Sequence, residues 1–246
     1  MRYLISVSVL LITGIFVLLM LPVSFILWFI VWPFDNNRVI FHWWLTVQSI
    51  AVTWLMPAGT LKIEGCDKIT RGQTYIIISN HQSVLDILIL YRLRMNFKWI
   101  SKIENIRVPV FGWYLKMAGY IPVDRGNKES KAEMMKKSVE VIKRGISIMI
   151  FPEGTRSVNG ETGLFKKGAF ELALMTDKPI LPVVLDGTGG MLPKQSRLIK
   201  PVSHVIVKVL DPVFPGAFGT SDPEELAAKF RKIIETELIQ IRSAIP

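Results

Sequence analysis

The chain carries one cysteine, Cys66, among 246 residues. An intramolecular disulfide is therefore excluded, which fits a reducing compartment. Charge is missing from two long stretches. No Asp, Glu, Lys or Arg lies between Arg2 and Asp35, and none lies between Arg38 and Lys62. A helix of about 20 apolar residues crosses a bilayer, and either stretch is long enough. The first is longer than the apolar core of a secretory signal, about 7–15 residues, and it ends in Trp32-Pro33-Phe34 rather than in small residues. It is expected to be retained in the mature protein. Cysteine clusters, His-Glu-x-x-His, a Gly-x-Ser-x-Gly elbow and a phosphate-binding P-loop are also lacking. No metal site, no serine-hydrolase chemistry and no permanently bound cofactor is expected.

What is present is basic charge. The formal net charge is +10, and only Arg2, Asp35 and Arg38 are charged ahead of Lys62. The basic residues are interleaved with acidic ones and no nucleic-acid recognition motif accompanies them. Nucleic acid is thus not the expected partner. An anionic membrane face is, and phosphorylated substrates would also be drawn in. Lys62, Lys68 and Arg71 follow the second apolar stretch closely. By the positive-inside rule, the rest of the chain faces the cytoplasm.

Residues 1–57 read as a membrane-anchoring helical hairpin that either spans the bilayer or enters one leaflet. Asp35-Asn36-Asn37-Arg38 is its polar turn, and Pro22 is a candidate kink. Trp28, Trp32, Trp43 and Trp44 flank that turn as an interfacial belt would. His42 sits among them and is expected at the interface rather than as a ligand.

Residues 58–246 read as an α/β domain with a mixed, mostly parallel sheet flanked by helices. Strands are expected at 75–79, 97–101, 146–151, 180–185 and 205–210. A helix is expected at 130–144, with Met135, Val139 and Ile142 on one face and Glu140 paired to Arg144. In the last helix Asp222 is the N-cap, Pro223 the first helical residue and Glu225 the partner in a capping box. Its apolar stripe is Leu226, Phe230, Ile233 and Ile241.

Two segments carry chemistry. Asn80-His81-Gln82-Ser83-Val84-Leu85-Asp86 follows directly on a strand, and strand ends are where α/β sites form. On one regular helix, five residues turn roughly 140°, so His81 and Asp86 would not share a face. They meet only if His81 lies in the turn and Asp86 in the first helical turn. Ser83-x-x-Asp86 also suffices as a capping box, so this segment alone leaves a catalytic pair and a helix cap both open. Pro152-Glu153-Gly154-Thr155-Arg156-Ser157 follows another strand. Its arginine suits bidentate phosphate binding, and a local Glu153–Arg156 ion pair is the competing reading.

Asn80-His81-x-x-x-x-Asp86, followed by Phe151-Pro152-Glu153-Gly154-Thr155-Arg156-Ser157, resembles the glycerolipid acyltransferase family, in particular the bacterial 1-acyl-sn-glycerol-3-phosphate acyltransferases. Gly119 to Arg125 is similar to the family's second motif, and Pro179 to Val183 to its fourth. Lys102-x-Glu104, Pro109 and Phe111-Gly112-Trp113 match the stretch between the first two. One departure is Pro122, where a bulky apolar residue is usual. That bears on the acceptor pocket more than on the reaction.

The resemblance implies transfer of a fatty acyl group from acyl-CoA or acyl carrier protein to the sn-2 hydroxyl of lysophosphatidic acid. His81 is then the general base and Asp86 its orienting carboxylate. Asn80, Lys102, Arg125, Glu153, Gly154, Thr155 and Arg156 are the implied substrate-binding residues. The implied location is the cytoplasmic side of a bacterial inner membrane. Acyl transfer to another lysophospholipid or a lyso-aminolipid is the alternative enzyme. A non-catalytic lipid-binding membrane protein is the alternative of another class.

Overall fold

The computed structural model describes residues 2–196 and 198–244. Two helices come first, α1 (Arg2–Val31) and α2 (Val39–Thr53). The α/β body follows in the order β1 (Ala58–Glu64), β2 (Ile76–Ser79), α3 (Leu85–Leu90), β3 (Phe97–Lys102), α4 (Ile103–Arg107), α5 (Phe111–Met117), β4 (Ile121–Val123) and α6 (Lys128–Lys143). It continues with β5 (Ser147–Ile150), α7 (Gly168–Thr176), β6 (Ile180–Asp186), α8 (Thr188–Met191), β7 (Val202–Val209) and α9 (Pro223–Ser243).

The seven strands form one sheet in the order β1-β7-β6-β2-β5-β3-β4. Every neighbouring pair is parallel except β6 with β7. The expected mixed, mostly parallel sheet is therefore present. The central strands are buried on both faces, which is why they read as unbroken apolar runs. Alternation then sorts their side chains. Ile77, Met149, Leu181 and Val183 join a core with α2, α3 and α5, which includes Phe41, Ile89, Phe97 and Leu115. Ile76, Ile78, Ile148 and Ile180 join a second core with α6, α7 and α9, which includes Ile142, Phe170, Phe230 and Ile234. Each fully buried isoleucine contributes about 1.5–3 kcal/mol.

Two strands went unforeseen. β1 mixes exposed and half-buried residues at the sheet edge, and β4 has only three residues. α6 begins ahead of the expected start because the Asn127 side chain accepts from Ser130 N at 2.8 Å. Glu140 and Arg144 make no ion pair, whereas Glu133 and Lys137 do, at 3.3 Å. Asp222 caps α9 by accepting from Glu224 N at 2.9 Å. Glu225 does not close a capping box; it takes the Thr220 hydroxyl at 2.6 Å instead. The buried stripe of α9 runs through Leu226, Phe230, Ile234, Leu238 and Ile241, with Ile233 at its margin.

α1 is long and apolar enough to cross a membrane, by length and composition, and little of it is buried. It runs through Pro22 as one helix. Asp35, buried in the turn, caps α2 by accepting from Val39 N at 2.7 Å, Ile40 N at 2.8 Å and Phe41 N at 3.2 Å. His42 corrects expectation. It is fully buried rather than interfacial, with one ring nitrogen 2.8 Å from Met95 O and the other 3.2 Å from Tyr120 Oη. α2 turns a mixed face of Phe41, His42, Leu45, Gln48 and Val52 onto the body and leaves Ile40, Trp43 and Val47 exposed.

Candidate functional site

The parallel pairing of β2 with β5 places Ile78 opposite Ile150. Each strand's C-terminal turn therefore emerges beside the other, and the two motif segments meet. His81 N donates to Glu153 Oε1 at 2.9 Å, and Ser157 N donates to His81 O at 2.7 Å.

His81 lies in the turn and Asp86 in the first turn of α3. Asp86 is fully buried, and its Oδ2 stands 2.8 Å from His81 Nδ1. The same oxygen accepts from Gln82 N at 2.7 Å and Ser83 N at 2.9 Å. An oxygen that takes two amide protons is an acceptor toward Nδ1 as well. That assigns the ring proton to Nδ1 and leaves a lone pair on Nε2. The ring is held flat against Phe151, centroids 3.8 Å apart and planes 5° from parallel. Ser83 anchors the turn by donating to Leu192 O at 2.8 Å and accepting from Leu85 N at 3.3 Å.

Asn80 is buried and its amide pairs with a β6 peptide, donating to Leu185 O at 2.8 Å and accepting from Leu185 N at 2.8 Å. It positions the turn and is spent on the backbone. Glu153 is buried and bridges two loops, since its second oxygen accepts from Gly163 N at 3.0 Å. Burial pushes its carboxyl up from the usual range, while the two backbone amides pull it down. Glu153 is thus engaged by amides, and no Glu153–Arg156 ion pair forms. Gly154 has φ +71°, and a Cβ there would stand 3.0 Å from Lys166 Nζ. A side chain would be strained by the backbone and would press on that ammonium.

Arg125 reaches across from the end of β4 and donates to Gly154 O. Lys194 donates to Thr155 Oγ1 and to Arg156 O, each at 2.9 Å. Lys102 pairs with Glu104 at 2.8 Å with both side chains about half exposed. Lys166 and Lys194 belong to no motif noted in the sequence. Nothing in their local pattern separates them from the other surface lysines; only the folding of their loops against the Gly154–Arg156 turn brings them in.

Gly154 and Thr155 line a cavity of about 1000 Å³, whereas Asn80, Asp86 and Glu153 stand behind its wall. Part of its wall is apolar: Leu45 and Val52 of α2, Ile87 and Leu88 of α3, Trp99 of β3, and Phe16 and Val17 of α1. Another part is basic: Lys102, Arg125, Arg156, Lys166 and Lys194. His81 stands in the same wall. Such a space accommodates a molecule with a long apolar tail and an anionic head, beside an imidazole that accepts a proton.

Comparison with known proteins identifies the family and the fold. The family model described as Acyltransferase matches residues 60–186. A chloroplastic 1-acyl-sn-glycerol-3-phosphate acyltransferase of Brassica napus is 36% identical over 182 residues, which cover 74% of this chain and 53% of that protein. Its counterpart in Arabidopsis thaliana is 37% identical over 178 residues, covering 72% of this chain and 49% of that protein. The chain thus spans about half the length of these curated relatives. The crystal structure of the 1-acyl-sn-glycerophosphate (LPA) acyltransferase PlsC from Thermotoga maritima superposes with a TM-score of 0.85. At 22% identity it covers 100% of this chain and 98% of that one, and it shares the fold.

Proposed function

This chain belongs to the Acyltransferase family, and we propose that it transfers a fatty acyl group from an acyl thioester to the sn-2 hydroxyl of lysophosphatidic acid, giving phosphatidic acid. The observation that carries the proposal is the 2.8 Å Asp86–His81 contact, which turns Nε2 into a cavity lined by apolar and basic groups. The relatives named above are acyltransferases of that acceptor by name, which supports the same choice here.

His81 Nε2 takes the proton of the acceptor hydroxyl as its oxygen attacks the thioester carbonyl. Asp86 stabilises the imidazolium that results. The tetrahedral intermediate collapses, the C–S bond breaks, and the imidazolium returns the proton to the departing thiolate. Arg125 and Arg156 hold the acceptor phosphate, with Lys102 at the edge of the cavity. Thr155 and the Gly154 backbone border the glycerol. Asn80 and Glu153 fix the turns on which the reacting groups stand. The acyl chain occupies the apolar wall between α2 and α3. Acyl-CoA and acyl carrier protein are both acidic donors suited to the basic rim.

Residues 1–57 serve as the anchor, and residues 58–246 as the catalytic body. One leaflet suits the hairpin better than a full crossing. Ser6 of α1 donates to Ile199 O at 2.8 Å, and Ser24 Oγ lies 3.1 Å from Tyr114 Oη. Those serines are roughly 27 Å apart along a helix rising 1.5 Å per residue. The hairpin tip also touches the body, where Lys98 donates to Arg38 O at 3.3 Å. A crossing would put the tip and the body on opposite sides of the bilayer. The body then faces the cytoplasm, on the inner membrane of a bacterial cell, with Lys62, Lys68 and Arg71 toward anionic headgroups.

Thiol release from acyl-CoA by the purified, detergent-solubilised protein tests the reaction. Release that depends on lysophosphatidic acid supports it. Equal release with an acceptor that lacks phosphate would remove the phosphate-holding role of Arg125 and Arg156.

A further inference from the structure

Arg242 stands in the last turn of α9, beyond residues 60–186 and outside every motif of the resemblance. Its guanidinium leads to both turns of the site. Nε and Nη2 each lie 2.9 Å from Asp186 Oδ1. Nη2 also donates to Gly160 O at 2.9 Å. Asp186 ends β6 and is buried, and its Oδ1 takes Gln82 Nε2 at 3.4 Å. Gln82 is buried beside His81, and its backbone N–H donates to Asp86 Oδ2 at 2.7 Å. On the other route, Gly160 lies in the loop that runs from Glu153 to Gly163. Glu153 binds both Gly163 N and His81 N. One side chain thus reaches the His81 turn through Asp186 and Gln82, and again through the Gly160 loop and Glu153.

We propose that Arg242 is a positioning residue for the His81 imidazole. It sets the Gln82 side of the turn and the Glu153 loop at a fixed separation, so that Nε2 meets the acceptor hydroxyl in line with the thioester carbonyl. It touches no reacting atom. The planar fork of arginine presents Nε and Nη2 to these acceptors in one fixed geometry, which the flexible ammonium of lysine does not reproduce. α9 is a rigid support, packed on the sheet through Phe230, Ile234 and Leu238.

The inference rests on the acyl-transfer reading. Its test uses the full-length, detergent-solubilised protein with lysophosphatidic acid and acyl-CoA. Wild type, Arg242→Ala, Arg242→Lys, Gln82→Ala and the Arg242→Ala/Gln82→Ala double variant are compared, each with its melting curve. Arg242→Ala is expected to lower kcat about 10- to 100-fold per folded molecule with little change in KM. Millimolar guanidinium is expected to restore part of the loss. The double variant is expected to lose less than the product of the single losses, because both act along one path. Should Arg242→Ala fail to fold, Arg242→Lys carries the test, with kcat below wild type at a wild-type melting temperature. Unchanged kcat in the variant that folds, a loss that only tracks the unfolded fraction, or multiplicative single losses would overturn the inference. A wild type without turnover overturns the acyl-transfer reading, and this inference with it.

Discussion

One carboxylate oxygen, Asp86 Oδ2, lies 2.8 Å from His81 Nδ1 and also accepts the amides of Gln82 and Ser83. Closing the turn ahead of α3 and orienting the imidazole are therefore a single arrangement rather than rival uses of Asp86. The backbone amides fix the oxygen, and the oxygen fixes the ring tautomer. Phe151 fixes the ring plane from the other side.

Asp86→Asn tests that arrangement. The amide has nearly the same shape, but it can present NH₂ to Nδ1 and favour the wrong tautomer. The expected loss in kcat is between about 10²- and 10⁴-fold, with the fold retained. Full activity with a neutral side chain at residue 86 would show that the ring needs no such partner.

Arg156→Ala tests the basic wall of the cavity. Losing a charge-assisted contact costs about 1.5–3 kcal/mol, so KM for lysophosphatidic acid is expected to rise about 10- to 100-fold. An acceptor without phosphate should be affected far less. Equal changes for both acceptors would place the phosphate elsewhere.

Lys98 makes a prediction about stability. It is buried beneath the hairpin tip, donating to Ala118 O at 2.8 Å and Arg38 O at 3.3 Å. Burial lowers its pKa from 10.5 to about 7; Asp35 opposes that shift and Arg38 adds to it. The unfolded chain keeps its proton up to about 10.4. Between the two values the unfolded state binds more protons, so this group adds stability as pH rises from about 7. Below that its charge is buried at full cost. Melting curves of Lys98→Met should therefore lie highest relative to wild type near pH 6, with the difference shrinking toward alkaline pH. A difference that does not move with pH would contradict a buried, titrating amine.

Much of the fold was legible because the central strands are apolar on both faces, and short runs such as Ile76–Ser79 announce themselves. β1 escaped because an edge strand with Lys62 and Glu64 has no such signature, and β4 because it is a three-residue piece ending at Val123. His42 was misplaced for a related reason. Its tryptophan neighbours suggested an interface, but α2 turns that face onto the body, where Tyr120 and Met95 receive the ring. At the site, the motif residues declared themselves at strand ends. The pairing of Asn80 with a β6 peptide, the approach of Lys194 and the reach of Arg242 did not, since each depends on contact between segments far apart in the chain.

The most direct measurement is acceptor-dependent thiol release by wild type and His81→Ala, each normalised to folded protein. With His81 as general base, kcat falls about 10²- to 10⁴-fold while the melting temperature and lysophosphatidic acid binding stay near wild type. A His81→Ala protein that turns over at close to the wild-type rate would contradict the mechanism.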